Sequence, residues 1–66
     1  MITFIGNHDF ELARNIGRNL GEARVDVESV ILRARRFILR PWRIWTGEDE
    51  ARVVGEAIDG YQEAMR

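Results

Sequence analysis

Asp9-Phe10-Glu11-Leu12-Ala13-Arg14-Asn15-Ile16-Gly17-Arg18-Asn19-Leu20-Gly21-Glu22-Ala23 is the stretch whose reading decides the fold. Successive helical residues lie about 100° apart, which gathers Leu12, Ala13, Ile16, Leu20 and Ala23 into one arc and puts Glu11, Arg14, Asn15, Arg18 and Glu22 opposite. The pattern predicts an amphipathic helix, capped at Asn7 or Asp9. Gly17 and Gly21 lie beside the arc with Phe10. Glycine inside a helix costs about 1 kcal/mol relative to alanine, so two on one stripe need a reason. Either another helix approaches closely, or Gly21 forms the C-terminal cap. The row Ala13, Gly17, Gly21 is similar to the small-residue row of packed membrane helices, but this helix is too polar to span a bilayer. Tight packing within a soluble fold is the expected use.

Working outward, Ile2, Thr3, Phe4 and Ile5 are β-branched or aromatic and stop at Gly6-Asn7, which predicts a short strand over 2–5. A second helix is predicted from Asp26, a good N-cap, to about Leu39, where Arg40-Pro41 ends it. Its main apolar face is Val27, Val30, Ile31, Ala34, Phe37 and Ile38. Leu32 and Leu39, with Val25 nearby, project on another side between Arg35 and Arg36. A helix apolar on two sides is central to its fold or meets a second partner. Pro41-Trp42-Arg43-Ile44-Trp45 reads as a strand or extended turn, and Thr46-Gly47-Glu48-Asp49 as a capping box opening a third helix that runs to about Met65. Ala51, Val54, Ala57, Ile58, Tyr61 and Met65 are its expected apolar side.

The fold class that follows is mainly α: one domain over 1–66 with three amphipathic helices in the order β-α-α-β-α. If the two middle helices form a hairpin, the strands close a small two-stranded antiparallel sheet. The all-helical alternative treats both strands as irregular ends. A sheet this small needs a covering helix layer or a second subunit.

Composition narrows the chemistry. A chain of 66 residues has a thin stability margin, and without cysteine it has neither disulfides nor thiolate metal sites. His8 is the single histidine and Ser29 the single serine, so a nucleophile–base pair and a metal centre both lack material. Carboxylate pairs such as Glu48 with Asp49 or Glu56 with Asp59 have the spacing of a solvated helix face. Phosphate-cradling glycine motifs are absent. No enzymatic activity, cofactor or metal is expected. No apolar run or leader suggests a membrane or secretion, so a soluble cytoplasmic protein is expected.

Charge is unevenly placed. Between Arg24 and Trp45, six arginines face only Asp26 and Glu28, whereas from Thr46 onward six acids face Arg52 and Arg66. Arg33, Arg36 and Arg40 share one side of the second helix, and Arg43 follows between Trp42 and Trp45. Arginine and tryptophan are enriched at interface hot spots and both can engage nucleic acid. The internal alternative pairs the arginines with the acidic third helix and puts the tryptophans into the core. The candidate contact residues are Leu32, Arg33, Arg35, Arg36, Leu39, Arg40, Trp42, Arg43 and Trp45.

These features predict a protein-binding module, an adaptor or inhibitor that occupies a partner surface. Small inhibitors of this character are common among phage proteins, anti-defence (anti-CRISPR-like) proteins included, which enters as a prior on its class. A homodimer is expected, with Leu32, Leu39 and the Trp42–Trp45 segment at or beside the contact. Ile16, Gly17, Leu20, Gly21, Val27 and Val30 also have a spacing that resembles a helix-turn-helix DNA-binding unit, with Gly21 in the turn. That resemblance implies the alternative, a small nucleic-acid-binding transcriptional regulator.

Overall fold

The computed structural model describes residues 3–66, in which β1 (Thr3–Phe4), α1 (Asn7–Glu22), α2 (Val27–Ile38), β2 (Arg43–Ile44) and α3 (Gly47–Met65) follow one another. The mainly helical class and the order of elements are as the sequence predicts. Ile2, placed in the first strand by sequence, lies outside the described residues, and Ile5 follows β1 as irregular chain.

Each helix begins where a side chain can satisfy its free amides. Asp26 caps α2, its carboxylate accepting from the Ser29 amide at 3.2 Å and the Ser29 hydroxyl at 2.9 Å. At α3 the bonds are reciprocal: Thr46 Oγ1 accepts from the Asp49 amide at 3.2 Å, and the Asp49 carboxylate accepts from the Thr46 amide at 3.0 Å. The cap of α1 is Gly6, which corrects the expectation of Asn7 or Asp9. Asp9 lies in the first turn and reaches back to accept from the Gly6 amide at 2.9 Å.

Gly21 does not end α1. The helix ends at Ala23 and Arg24, the latter at φ 57°, with the Arg24 amide bonded to the Gly21 carbonyl at 3.0 Å and the Val25 amide to the Leu20 carbonyl at 3.0 Å. This is a Schellman-type termination, with arginine in a left-handed position that glycine would occupy more easily.

The direction of the helices explains the sheet. Arg52 stacks on Phe10, Gly17 abuts Ala57, and Gly21 abuts Ala64, so α1 and α3 ascend together. The helix between them carries the chain back, and its Arg35 meets Glu50 in the first turn of α3. The second strand therefore starts from the same end as the first. The pair is parallel, Thr3 with Arg43 and Phe4 with Ile44, not antiparallel as expected. The two middle helices do form a hairpin, but the chain turns again between α2 and β2, where the Arg43 amide donates to the Arg40 carbonyl at 3.0 Å, and this extra turn makes the strands parallel.

Glycines set the closest approach. A Cβ on Gly17 would lie 1.8 Å from the Ala57 carbonyl oxygen, and one on Gly60 would lie 2.1 Å from that of Arg14. The sequence-based arcs are consequently rotated. On α1 the buried line is Phe10, Ala13, Gly17 and Gly21, with Leu12, Ile16 and Leu20 half-buried at its flank. On α3 it is Val53, Ala57 and Gly60, while Ala51 and Met65 are exposed. Bulk hydrophobicity finds the apolar side of a helix, but the closest contact falls on its smallest residues.

The core is small: Phe10, Ala13, Val30, Ala34, Ile38, Val53 and Ala57. Three residues assigned to the core face of α2 are outside it, Ile31 being half-buried in a cleft with Val54 and Ile58 of α3. Val27 is exposed at the first position of the helix, and Phe37 is exposed on the flank toward α1, which packs much more extensively against α3 than against α2. Conversely Leu39, expected to be uncovered, packs half-buried against the core.

Candidate interaction surface

The arginines divide by what answers them. Arg14 reaches Glu63 at 3.2 Å, with Glu56 and Asp59 both at 3.9 Å, and Arg18 reaches Glu63 at 2.9 Å. These contacts clasp α1 to α3, and the Arg18 bond, helped by nearby Arg14, holds the Glu63 carboxyl below its ordinary range. Arg35 closes on Glu50 at 2.8 Å, tying α2 to α3. Arg52 lies over the Phe10 ring, its guanidinium carbon 4.1 Å from the centroid.

Arg43 is the most internal. Its guanidinium donates to the two Asp9 oxygens at 2.6 and 2.9 Å and to the Phe4 carbonyl at 3.0 Å. It thus ties β1, β2 and the start of α1 together. The Arg43 bond is the main reason the Asp9 carboxyl is held below its ordinary value, against the opposing effect of burial, while Asp9 in turn raises Arg43.

Arg33, Arg36 and Arg40 have no acidic partner among the described residues. Because α2 buries Val30, Ala34 and Ile38, the helical repeat turns Ser29, Leu32, Arg33 and Arg36 outward. Together with Val25, Phe37 and Arg40 they line a shallow groove of about 470 Å³. A second cleft shares Arg33 and Phe37 and adds Ile16, Asn19 and Leu20 of α1. Arg40 donates to the Phe37 carbonyl at 3.3 Å, with its guanidinium carbon 5.7 Å from the Phe37 ring centre and 5.2 Å from that of Trp42. The cation thus lies over both aromatic rings, within the range of a cation–π contact with each. Leu32 is 54% exposed, Phe37 56% and Trp42 58%, so three large apolar groups alternate with the three cations.

Of the nine residues singled out by sequence, the structure brings Leu32, Arg33, Arg36, Arg40 and Trp42 onto this surface. Arg35 and Arg43 are engaged within the fold, Leu39 rests on the core, and Trp45 is exposed beyond β2. The internal alternative therefore holds for Arg35, whose partner is on α3, while Arg43 pairs with α1. Phe37 was missed. Its spacing from Arg33 and Arg40, four residues after one and three before the other, was the available signal, hidden by its place at the edge of the apolar arc.

The arrangement offers forked donors and aromatic faces rather than reactive groups. His8 is exposed at the start of α1, and the Ser29 hydroxyl donates to the Asp26 carboxylate. Among the described residues, no group of three or more histidines, cysteines or acids could hold a metal. Among the described residues, likewise, no helix is long and apolar enough to cross a membrane. The feature that carried the helix-turn-helix resemblance is displaced: Gly21 is inside α1 against α3, and the turn comes at Ala23–Asp26. The chain matches no protein family, no curated protein and no solved structure.

Proposed function

We propose that this chain is a non-enzymatic protein-binding module, an adaptor or inhibitor acting in the cytoplasm, whose contact surface is the outward side of α2 and the turn after it. The observation that carries the reading is the row Arg33, Arg36 and Arg40, unanswered by any acid among the described residues and interleaved with exposed Leu32, Phe37 and Trp42. Arg14, Arg18, Arg35 and Arg43 already engage acids of α1 and α3, whereas these three, gathered on one surface, do not. Leaving cations beside large apolar side chains contributes little to folding, whereas a partner that covers both gains apolar burial and charge-assisted hydrogen bonds.

The partner that fits presents carboxylates around an apolar ridge. Nucleic acid fits less well, because phosphate binding draws on many cations and makes no use of Leu32 and Val25. The test is affinity capture from the native host with the wild-type chain and with Arg33→Glu, Arg36→Glu and Arg40→Glu combined. We expect one protein to be retained by the wild type after nuclease treatment and lost by the triple variant. Equal retention by both forms, or retention abolished by nuclease, overturns the reading.

A further inference from the structure

A second exposed surface lies on the small sheet. Arg43 turns inward to Asp9, so its neighbours Trp42 and Ile44 turn outward, because successive residues of extended chain alternate sides. Ile44 is paired in register with Phe4, and paired residues of adjacent strands share a face. The result is an outer sheet face formed by Phe4 at 73% exposure, Trp42 and Ile44, with exposed Trp45 at its border. None of the four is charged.

We infer that this face is the contact between two copies of the chain, packed sheet against sheet across a twofold axis. Three considerations select a second copy as the occupant. A twofold contact sets a patch against itself, which an uncharged apolar patch tolerates. The α2 surface would instead set Arg33, Arg36 and Arg40 against their own copies. The exposed portions of Phe4, Trp42 and Ile44 come to roughly 350–400 Å² per protomer, so two copies bury on the order of 750 Å², and the bordering Trp45 with the rest of the rim brings the contact toward the lower bound of about 1,000 Å² for a specific interface. Finally, a sheet of two two-residue strands is marginal in water, and face-to-face packing covers it. This contact keeps the Trp42–Trp45 segment of the sequence-based expectation and moves Leu32 out of it. The two Trp42 rings also carry the stacked Arg40 groups to the rim, so a dimer presents both α2 grooves together.

Sedimentation equilibrium of the full chain across the micromolar range tests the inference, with circular dichroism as the check on folding. The wild type is expected to be a dimer. Phe4→Arg with Ile44→Arg should raise the dissociation constant at least tenfold while helicity is retained, since both side chains are exposed. Trp42→Arg, outside both strands, should do the same and guards against a double variant that fails to fold. The triple charge reversal on α2 should leave the dimer intact, which separates this inference from the proposed function. A wild-type monomer throughout the range, a dimer indifferent to these changes, or one broken by Leu32→Glu instead overturns it. So does a monomer that binds vesicles of anionic lipid through Trp42 and Phe4, for then the occupant is a membrane surface.

Discussion

The seam between α1 and α3 and the outward side of α2 are built from similar material and put to opposite use. Both are rich in arginine at helical spacing. In the seam, Gly17, Gly21 and Gly60 let backbones touch, and Arg14 and Arg18 reach across to Glu56, Asp59 and Glu63. On α2, Leu32 and Phe37 stand in solvent beside arginines that no acid answers. Small residues with complementary charge mark where the fold closes on itself. Large apolar residues with unanswered charge mark where it ends and another surface can begin.

The sharpest way to break this contrast is to add one methyl group inside the seam and one outside it. Gly17→Ala puts a Cβ where the Ala57 carbonyl already stands, and backbone cannot move aside as a side chain can. We expect a loss of about 3 kcal/mol or more, the upper range for overpacking and most of the stability of a domain this small. Gly55→Ala adds the same methyl to α3 with nothing within 4 Å. That change should stabilise by about 0.5–1 kcal/mol, the ordinary helix preference of alanine. Urea unfolding followed by circular dichroism measures both. Equal effects would mean that the seam is not closely packed.

The Asp9–Arg43 pair is the seam's electrostatic counterpart, and its removal ranks second. Asp9→Asn leaves a largely buried guanidinium without its anion and should cost about 3 kcal/mol, the lower end for breaking a buried pair from one side. The pair also sets a pH dependence. Because Asp9 is held below its ordinary value of 3.8, the unfolded chain takes up the proton more readily than the folded one. The stabilisation is complete above the ordinary carboxylate range and is lost as pH falls through it toward the lowered folded value. Thermal midpoints measured from neutral pH downward should drop more steeply in wild type than in Asp9→Asn. An identical slope in both would remove Asp9 from the account.

What could be read from sequence follows the range of the interaction. Asp26 and Thr46 announce α2 and α3 through bonds three residues long, and both helices start where the caps place them. The Gly17–Gly21 stripe correctly signalled close approach. Asp9 and Arg43 are 34 residues apart, and nothing local couples them. Strand direction was equally hidden, because it depends on the turn at Arg40–Arg43 that separates α2 from β2. At the candidate surface, the arginine row was legible from spacing alone. Which arginines remained unanswered required the path of α3.

Arg24 belongs to neither region, yet it decides how α1 hands over to α2. At φ 57° it holds a conformation that disfavours a Cβ, and its side chain has no hydrogen bond or ion pair among the described residues to offset this. Arg24→Gly should therefore stabilise by about 1 kcal/mol, a rise in thermal midpoint of about 4–8 °C for a domain of this length. No rise would mean that the turn relaxes at little cost.

The smallest expected effect bears most directly on function. If the outward side of α2 is reserved for a partner, folding should be nearly indifferent to it. Leu32→Gln removes apolar surface that is already more than half in water, and Arg36→Gln removes a cation with no acid beside it. Each should shift stability by no more than about 0.5 kcal/mol, as for substitutions away from packed or paired groups. Arg35→Gln gives the adjacent comparison on the same helix, because it breaks the contact with Glu50 while leaving the groove residues in place. Its loss should also be modest, within the roughly 0–1 kcal/mol of exposed ion pairs, and should shrink with added salt, whereas the Arg36→Gln value should not. Chemical denaturation at low and high salt separates them. A salt-sensitive loss at Arg36 would show that the fold already answers its charge, and the surface assigned to a partner would contract to Arg33, Arg40 and the aromatic rings that Arg40 lies over.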